Sequence, residues 1–512
     1  MAGENNWLDR AIGWIAPHRA LQRESARVAL GRVRDYQAAK AGRRTSGWTT
    51  AGTSANAEIA PALATLRARS REQIRNNPYA SIAVGKLAVK AVGTGILPRH
   101  TNKRAGSLWK EWVKTADFDG HFDFYGLQNL AALGMFESGE VLIRRHLDPR
   151  AAGVPLRLQV LEPDYLDSSK HGPMAGGNYA IAGVEINPAG QRVAYHLYRQ
   201  HPGESLVIKR AFESVRVPAS EIIHLYEKRR PGQLRGIPRL STSLMRLRNL
   251  DEYEDAELVR KKIEACFAAF VTTGDANRVI ANSQTETASD GTSNRIETLA
   301  PGLIEYLRPG EEITFGSPSS SAGFGEYTRT QLHAIAVGAG VTYQQLTGDL
   351  TSVNLSSIRA GMIDFNEMID QFRWLTFIPI VCDRINAWFV EAAYLGNLNR
   401  SQDTGVLWTP PKRQWVDPTK EVDAARLERQ AGMASLSEQI RQKGDDPDET
   451  FAEIAAENEK LAKLGIVIDT DPAHKIAADA AKAGADKAAA DAGANDGTEG
   501  AGTGAGNDSN NP

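Results

Sequence analysis

Arg230-Pro231-Gly232-Gln233-Leu234-Arg235-Gly236-Ile237-Pro238 separates two parts of this 512-residue chain that differ in character. Its prolines and glycines break regular structure, so it reads as a turn-rich entry to the downstream part. Upstream, residues 139–227 read as strands: Val141 to His146, Leu156 to Leu161, and Ile222 to Tyr226. Between them, Val184-Glu185-Ile186 and Arg192 to Arg199 flank the turn Asn187-Pro188-Ala189-Gly190 and predict a hairpin. Downstream the pattern turns helical. Leu244, Leu247, Leu250, Tyr253, Ala256 and Leu258 form one stripe of a helix over Leu240 to Phe270, roughly 46 Å long at 1.5 Å per residue.

Toward the N-terminus, Pro61 to Ala91 is helical, with Pro61 in the first turn, where its missing N–H costs nothing. Pro78 breaks this stretch, a second helix restarts, and Gly93-Thr94-Gly95 stops it. Helical patterns also surround Trp109, Trp112 and Val113 and run from Phe124 to Ser138. Residues 61–238 therefore read as an α+β platform. Residues 1–60 are rich in Arg and Ala (Arg19, Arg23, Arg27, Arg32, Arg34, Arg43, Arg44) and read either as a mobile basic arm or as a solvated helix without a partner.

Toward the C-terminus, residues 272–322 form a polar excursion between two helices. It is too long for an ordinary connection and reads as a small module. A helix over Gly325 to Val337 stops at Gly338-Ala339-Gly340. The polar loop 341–357 comes next, carrying Asp349 as its one charge, and no Lys or Arg occurs from Gln331 to Ile358. The loop reads as a plain surface connection or as a functional surface. Asn354 or Ser356 can cap the next helix, Leu355 to Tyr394, which Pro379 should kink. Leu407-Trp408-Thr409-Pro410-Pro411 is extended. Lys420 to Lys443 and Asp448 to Leu464 are amphipathic helices. The Ala-, Gly-, Asp- and Asn-rich tail 471–512 lacks the apolar residues to build a core and should be disordered.

Composition narrows function. With 42% hydrophobic and 24% charged residues the chain is globular, and a net charge of −2 argues against a broad basic face that grips nucleic acid. Cys266 and Cys382 read as buried reduced thiols, suited to a reducing cytoplasm. Met1 to Arg10 lacks a secretory apolar stretch, and the longest apolar run, Trp374 to Cys382, is about half a membrane span. There is no phosphate-binding Gly-x-x-x-x-Gly-Lys-Ser/Thr loop, Gly-x-Ser-x-Gly elbow or His-Glu-x-x-His helix. Asp445, Asp446, Asp448 and Glu449 suit a helix N-terminus better than a calcium loop. His196 and His224 stand as lone strand histidines. No catalytic residue, metal ligand or cofactor is assigned.

The order of features resembles the lambda-type portal family of tailed bacteriophages. The matching stretches are Arg75-Asn76-Asn77-Pro78-Tyr79-Ala80, Gly93-Thr94-Gly95-Ile96, Phe136-Glu137-Ser138-Gly139-Glu140-Val141, Leu161-Glu162-Pro163-Asp164, the entry 230–238, Leu307-Arg308-Pro309-Gly310-Glu311 and Leu346-Thr347-Gly348-Asp349-Leu350. The resemblance spans about residues 30–470. It implies an α+β portal fold: basic arm 1–60, wing 61–238, stem helix 239–271, clip 272–322, second stem helix 323–340, tunnel loop 341–357, kinked helix and wing return 358–418, helical crown 419–470, and tail 471–512. It implies a non-enzymatic head–tail connector, a homo-oligomeric ring of twelve whose channel passes double-stranded DNA in packaging and ejection. The implied partners are the terminase large subunit, major capsid and scaffolding proteins, and head-completion proteins. The implied location is the virion, after assembly in the host cytoplasm. Gln344, Gln345, Thr347, Asp349, Thr351 and Ser352 are then the candidate DNA-facing residues, unless the loop only braces neighbouring subunits. The rivals are a different head–tail adaptor ring, which lacks the paired stem helices with an inserted clip, and a hydrolase with a dispersed site.

Overall fold

The structure is a computed structural model. It describes residues 52–151, 153–204, 213–265, 323–351, 353–395, 404–411 and 418–466, isolated positions before 52, Leu398, and four short strands between 269 and 307. The expected N-terminal arm (but for its last residues), most of the 272–322 module, the tail, Cys266 and Ser352 lie outside the described residues. The chain divides into two compact units, residues 1–62 with 229–234 and residues 63–228 with 235–512.

In the first unit the opening of helix α1 (Ala55–Asn76) is tied to the turn-rich entry. Asn56 donates to the Gly232 carbonyl at 3.0 Å and accepts the Leu234 N–H at 2.9 Å, while Arg230 pairs with Glu58 at 2.7 Å. Pro61 lies inside α1, which corrects the expected start. Ser54 sets the earlier start, its Oγ accepting the Ala57 N–H at 3.3 Å as an N-cap side chain does.

The second unit begins with the rest of α1. Helix α2 (Pro78–Val92) restarts at Pro78 and stops at Gly93, as the sequence predicts, and Asn77 is its N-cap. Strand β1 (Leu97–His100), α3 (Lys103–Trp112) and α4 (Phe124–Ser138) come next. Then come β2 (Glu140–Leu147), β3 (Leu156–Leu161), β4 (Gly172–Pro173), β5 (Tyr179–Ile181), β6 (Val184–Ile186), β7 (Arg192–Tyr198), β8 (Ser214–Pro218) and β9 (Ile222–Tyr226). Two antiparallel sheets form, in the orders β3-β2-β9 and β4-β5-β6-β7-β8. Strand alternation shows how they pack. Val141 and Ile143 of β2 join the main core, with the helices, whereas Leu142 joins a second core with Val184, Tyr195, Leu197 and Val217 of the five-stranded sheet. The three-stranded sheet is thus buried on both faces.

After the entry, a 3₁₀ turn (Arg239–Thr242) leads into α5 (Leu244–Ala265), which is shorter than the helix expected to Phe270. The apolar run at its end is a strand, β10 (Ala269–Thr272), because it pairs in parallel with a distant segment. The strands β11 (Thr285–Thr287), β12 (Ser293–Arg295) and β13 (Ile304–Leu307) complete this region, with β11 paired to β12 and β13 to β10. Helix α6 (Phe324–Ala339) packs on α5 and ends at Gly340 in the left-handed conformation.

The expected loop 341–357 contains a short helix, α7 (Tyr343–Thr347). Asn354 then caps α8 (Leu355–Phe372), as expected. At Pro379 the helix adopts a π-helical segment, Arg373–Cys382, before α9 (Asp383–Ala393). A π register changes the bonding pattern around a residue that has no N–H to give. Strand β14 (Val406–Thr409) returns to pair antiparallel with β1, Leu97 facing Thr409. Helices α10 (Pro418–Gln430), α11 (Leu436–Gln442) and α12 (Pro447–Leu464) end the described chain, so the helix expected over 420–443 is two. Asp446 caps α12, and Arg99 and Lys110 pair with Asp448 and Glu449. The main core takes in the small residues of α2, which packs on α4, and the rings of Trp109, Trp112, Phe124 and Phe389, which lie 4.8–5.4 Å apart in tilted and edge-on contacts. No described helix is long and apolar enough to cross a membrane.

Candidate functional site

The neutral stretch between α6 and α8 is a built structure. Thr342 Oγ1 accepts the Gln345 N–H at 3.2 Å, and the Gln345 side chain accepts the Thr342 N–H at 3.0 Å, a reciprocal capping box. Leu346 is 3% exposed and anchors α7, and His333 stacks on Tyr343 at 4.2 Å. Gly348, at φ 72°, ends the helix. Asp349 then accepts both the N–H and the hydroxyl of Thr351, at 2.9 and 2.6 Å. These bonds hold its carboxyl below the ordinary Asp value.

The candidate residues therefore divide. Gln344, Gln345 and Thr347 line one cleft of about 600 Å³ with Tyr79 and Ile82 of α2 and Met362 of α8. Gln345 and Thr347 are committed locally, since Thr347 Oγ1 donates to the Tyr343 carbonyl at 2.9 Å. Asp349 and Thr351 form their own turn, and Ser352 is outside the described residues. The stretch free of Lys and Arg does not make a cleft free of cations, because Lys86 of α2 lines it too. Nothing in the local sequence signals that approach.

A second polar constellation lies at the root of α5. Glu140 has no exposed surface. It accepts from Arg235 Nη2 at 2.7 Å, the Gly236 N–H at 2.7 Å, Arg67 Nη2 at 3.1 Å and His224 Nε2 at 2.9 Å. Burial pushes its carboxyl up, but the Arg235 charge and the His224 hydrogen bond outweigh this and hold it well below the usual range. His224, lone in sequence, is therefore paired, and so is His196, 3.2 Å from the buried Glu185 that Arg216 also contacts. Burial lowers the His224 pKa. Arginine side chains contact both carboxylates, Arg235 on Glu140 and Arg216 on Glu185. These carboxylates come from other strands, so local sequence could not reveal them.

Glu162, Asp164 and His201 also converge, with ligand-capable atoms within 4.8 Å of one another. Arg71 lies 2.8 Å from Glu162 and 2.7 Å from Asp164, and Arg67 lies 3.0 Å from Asp164, so cationic side chains already neutralise the carboxylates. Cys382 is buried with its thiol pKa raised by burial.

The sequence profile of the family described as "Phage portal protein, lambda family" matches residues 41–373. The chain is 29% identical over 463 residues to the "Probable portal protein" of Halomonas phage phiHAP-1, covering 85% of this chain and 88% of that one. It is 22% identical to the "Portal protein" of Escherichia phage N15 and 21% identical to "Portal protein B" of Escherichia phage lambda, each match covering 82% of this chain and 88% of the relative. Among solved structures, chains from the "Neck of empty GTA particle computed with C6 symmetry" and the "Neck of native GTA particle computed with C12 symmetry" are each 17% identical. Their TM-scores are 0.41 and 0.40, and they cover 74% and 79% of this chain and 93% and 99% of their own. With the family match running through both sheets, the paired helices and α8, the protein belongs to the lambda family of phage portal proteins.

Proposed function

We propose that the chain is the subunit of a twelve-membered ring whose axial channel passes double-stranded DNA into the head during packaging and out during ejection. In this reading residues 272–322 dock the terminase large subunit and later the head-completion proteins. Major capsid and scaffolding proteins surround the ring, and the mature location is the virion. The subunit has no chemistry of its own, and a separate ATPase supplies the work.

The observation that carries the reading is the segment 341–357, which has no Lys or Arg and whose described residues bond to one another. Each basic contact to phosphate adds salt-dependent affinity. A ring multiplies every contact by its copy number, so a basic loop would create a well deep enough to hold DNA still. A loop of Gln, Thr, Ser and Asn with its carboxylate tied into a turn avoids that well. Gln344, Asp349, Thr351 and Ser352 are the residues assigned to transient DNA contact, and Gln345 and Thr347 to keeping α7 folded. The test is a Q344K/T351K variant in a packaging assay. Translocation should slow, more so at low salt, and unchanged kinetics would contradict the assignment.

A further inference from the structure

Glu140 joins parts of the chain that are distant in sequence. It opens β2 directly after Gly139, which ends α4 at φ 88°. Its carboxylate holds Arg235 through Nε at 2.9 Å and Nη2 at 2.7 Å, and Arg235 Nη1 reaches the Ala182 carbonyl at 2.5 Å. Gly139 and the 236–238 segment touch backbone to backbone, so a Cβ on Gly139 would meet Ile237 and one on Gly236 would meet the Gly139 carbonyl. From Pro238 the chain enters the 3₁₀ turn and α5. There Arg239 donates to the Ala339 carbonyl in the last turn of α6 at 2.9 Å and pairs with Glu227 at 3.2 Å. Thr242 and Ser243 also donate to carbonyls of α6, those of Gly338 and Ile335. The start of α5 and the end of α6 are thus hydrogen-bonded to each other, and the segment leading into them is bonded at Arg235 and Gly236 by the Glu140 carboxylate.

We infer that the Glu140–Arg235 pair is a lock that holds the root of the α5–α6 pair on the three-stranded sheet, and that releasing it opens residues 235–250 while the sheets stay folded. A buried ion pair suits a lock because its energetics are lopsided. Removing one partner strands a desolvated charge, whereas replacing both by apolar groups costs little. The sheets keep their own pairing, and Asp164 remains bonded to Arg67 and Arg71 when Glu140 loses its charge. The network is not saturated, since Arg67 Nε and His224 Nδ1 are buried without a hydrogen-bond partner. Such a joint is costly to break and local in its consequences. The inference concerns one chain, so it stands or falls independently of ring formation.

Hydrogen exchange read by mass spectrometry on the full-length protein tests it. In Glu140→Gln, amides of residues 235–250 should exchange faster by on the order of a hundredfold, and those of β3 and β7 should change little. Glu140→Met combined with Arg235→Met removes the stranded Arg235 charge, though the Gly236 N–H and His224 Nε2 still lose their acceptor, and should restore part of the protection. Arg235→Lys, which keeps the charge but loses the two-pronged contact, should fall between. Unchanged exchange at 235–250 in Glu140→Gln overturns the lock, as does an equal rise across both sheets. If Glu140→Gln does not fold, the Met pair and Arg235→Lys decide: a Met pair no better protected than Arg235→Lys overturns it.

Discussion

Thr342 and Gln345 cap one another, each side chain accepting the other's backbone N–H, at 3.2 and 3.0 Å. The turn between α6 and α8 is therefore held by its own hydrogen bonds. Gln345→Ala should cost about 1 kcal/mol of local stability. The expected readout is faster amide exchange at 343–347 with the global unfolding transition in place. An unchanged exchange rate would mean the capping box does not hold α7.

Two glycines in the left-handed conformation should respond differently to alanine. Gly348 faces open space, so Gly348→Ala carries only the backbone penalty, about 1 kcal/mol. At Gly139 a Cβ meets the backbone of Ile237 and Pro238, which no side-chain rotation relieves. Gly139→Ala should lower the yield of soluble protein sharply, while Gly348→Ala should express and melt close to the parent. Equal behaviour of the two would contradict the close approach.

Arg373 begins the π segment and closes α2. Its Nε donates to the Ala91 carbonyl at 2.8 Å and its Nη2 to the Lys90 carbonyl at 2.5 Å, satisfying groups that a helix end leaves open. Burial lowers its pKa to about 10, so it remains charged at neutral pH. Arg373→Met fills similar space but strands buried carbonyls, and should cost roughly 1–3 kcal/mol in denaturant melts. A variant as stable as the parent would show that those carbonyls find other partners.

His100 sets a pH dependence. Its ring lies 5.2 Å from Trp109 and 6.0 Å from Phe389, its nitrogens have no hydrogen-bond partner, and burial lowers its pKa from 6.5 to about 4. Between those values the unfolded chain binds the proton and the folded chain does not. The stability from neutral His100 is thus fully present above pH 6.5 and is lost as pH falls toward 4, at up to about 1.4 kcal/mol per pH unit. Glu140 and Asp164, both held low, add loss of the same sign at lower pH. His100→Phe should flatten the pH dependence of Tm between 6.5 and 4 (a parallel curve would count against this).

Elements with local signals were legible in the sequence. Gly93, Asn354 and the acids around Asp446 mark helix ends where the structure has them, and β3 and β9 match the expected strands residue for residue. What failed depends on distant partners. The helical pattern continues past Ala265, yet Ala269–Thr272 is a strand because residues 304–307 lie beside it. Strand β1 has too little pattern of its own and exists through β14, some three hundred residues on. His224 looked solitary because Glu140 lies on the neighbouring strand, 84 residues earlier. In the candidate site, composition pointed to a neutral segment, but not to α7, nor to Lys86 arriving from α2.

In the proposed assembly, copies of this chain close a ring around DNA with segment 341–357 at the channel. Electron microscopy of the purified full-length protein, at a resolution that traces α6 to α8, tests it most directly. Closed rings with an axial hole and residues 341–357 at its narrowest point are expected. Compact monomers, or rings with that segment on the outer rim, would contradict it.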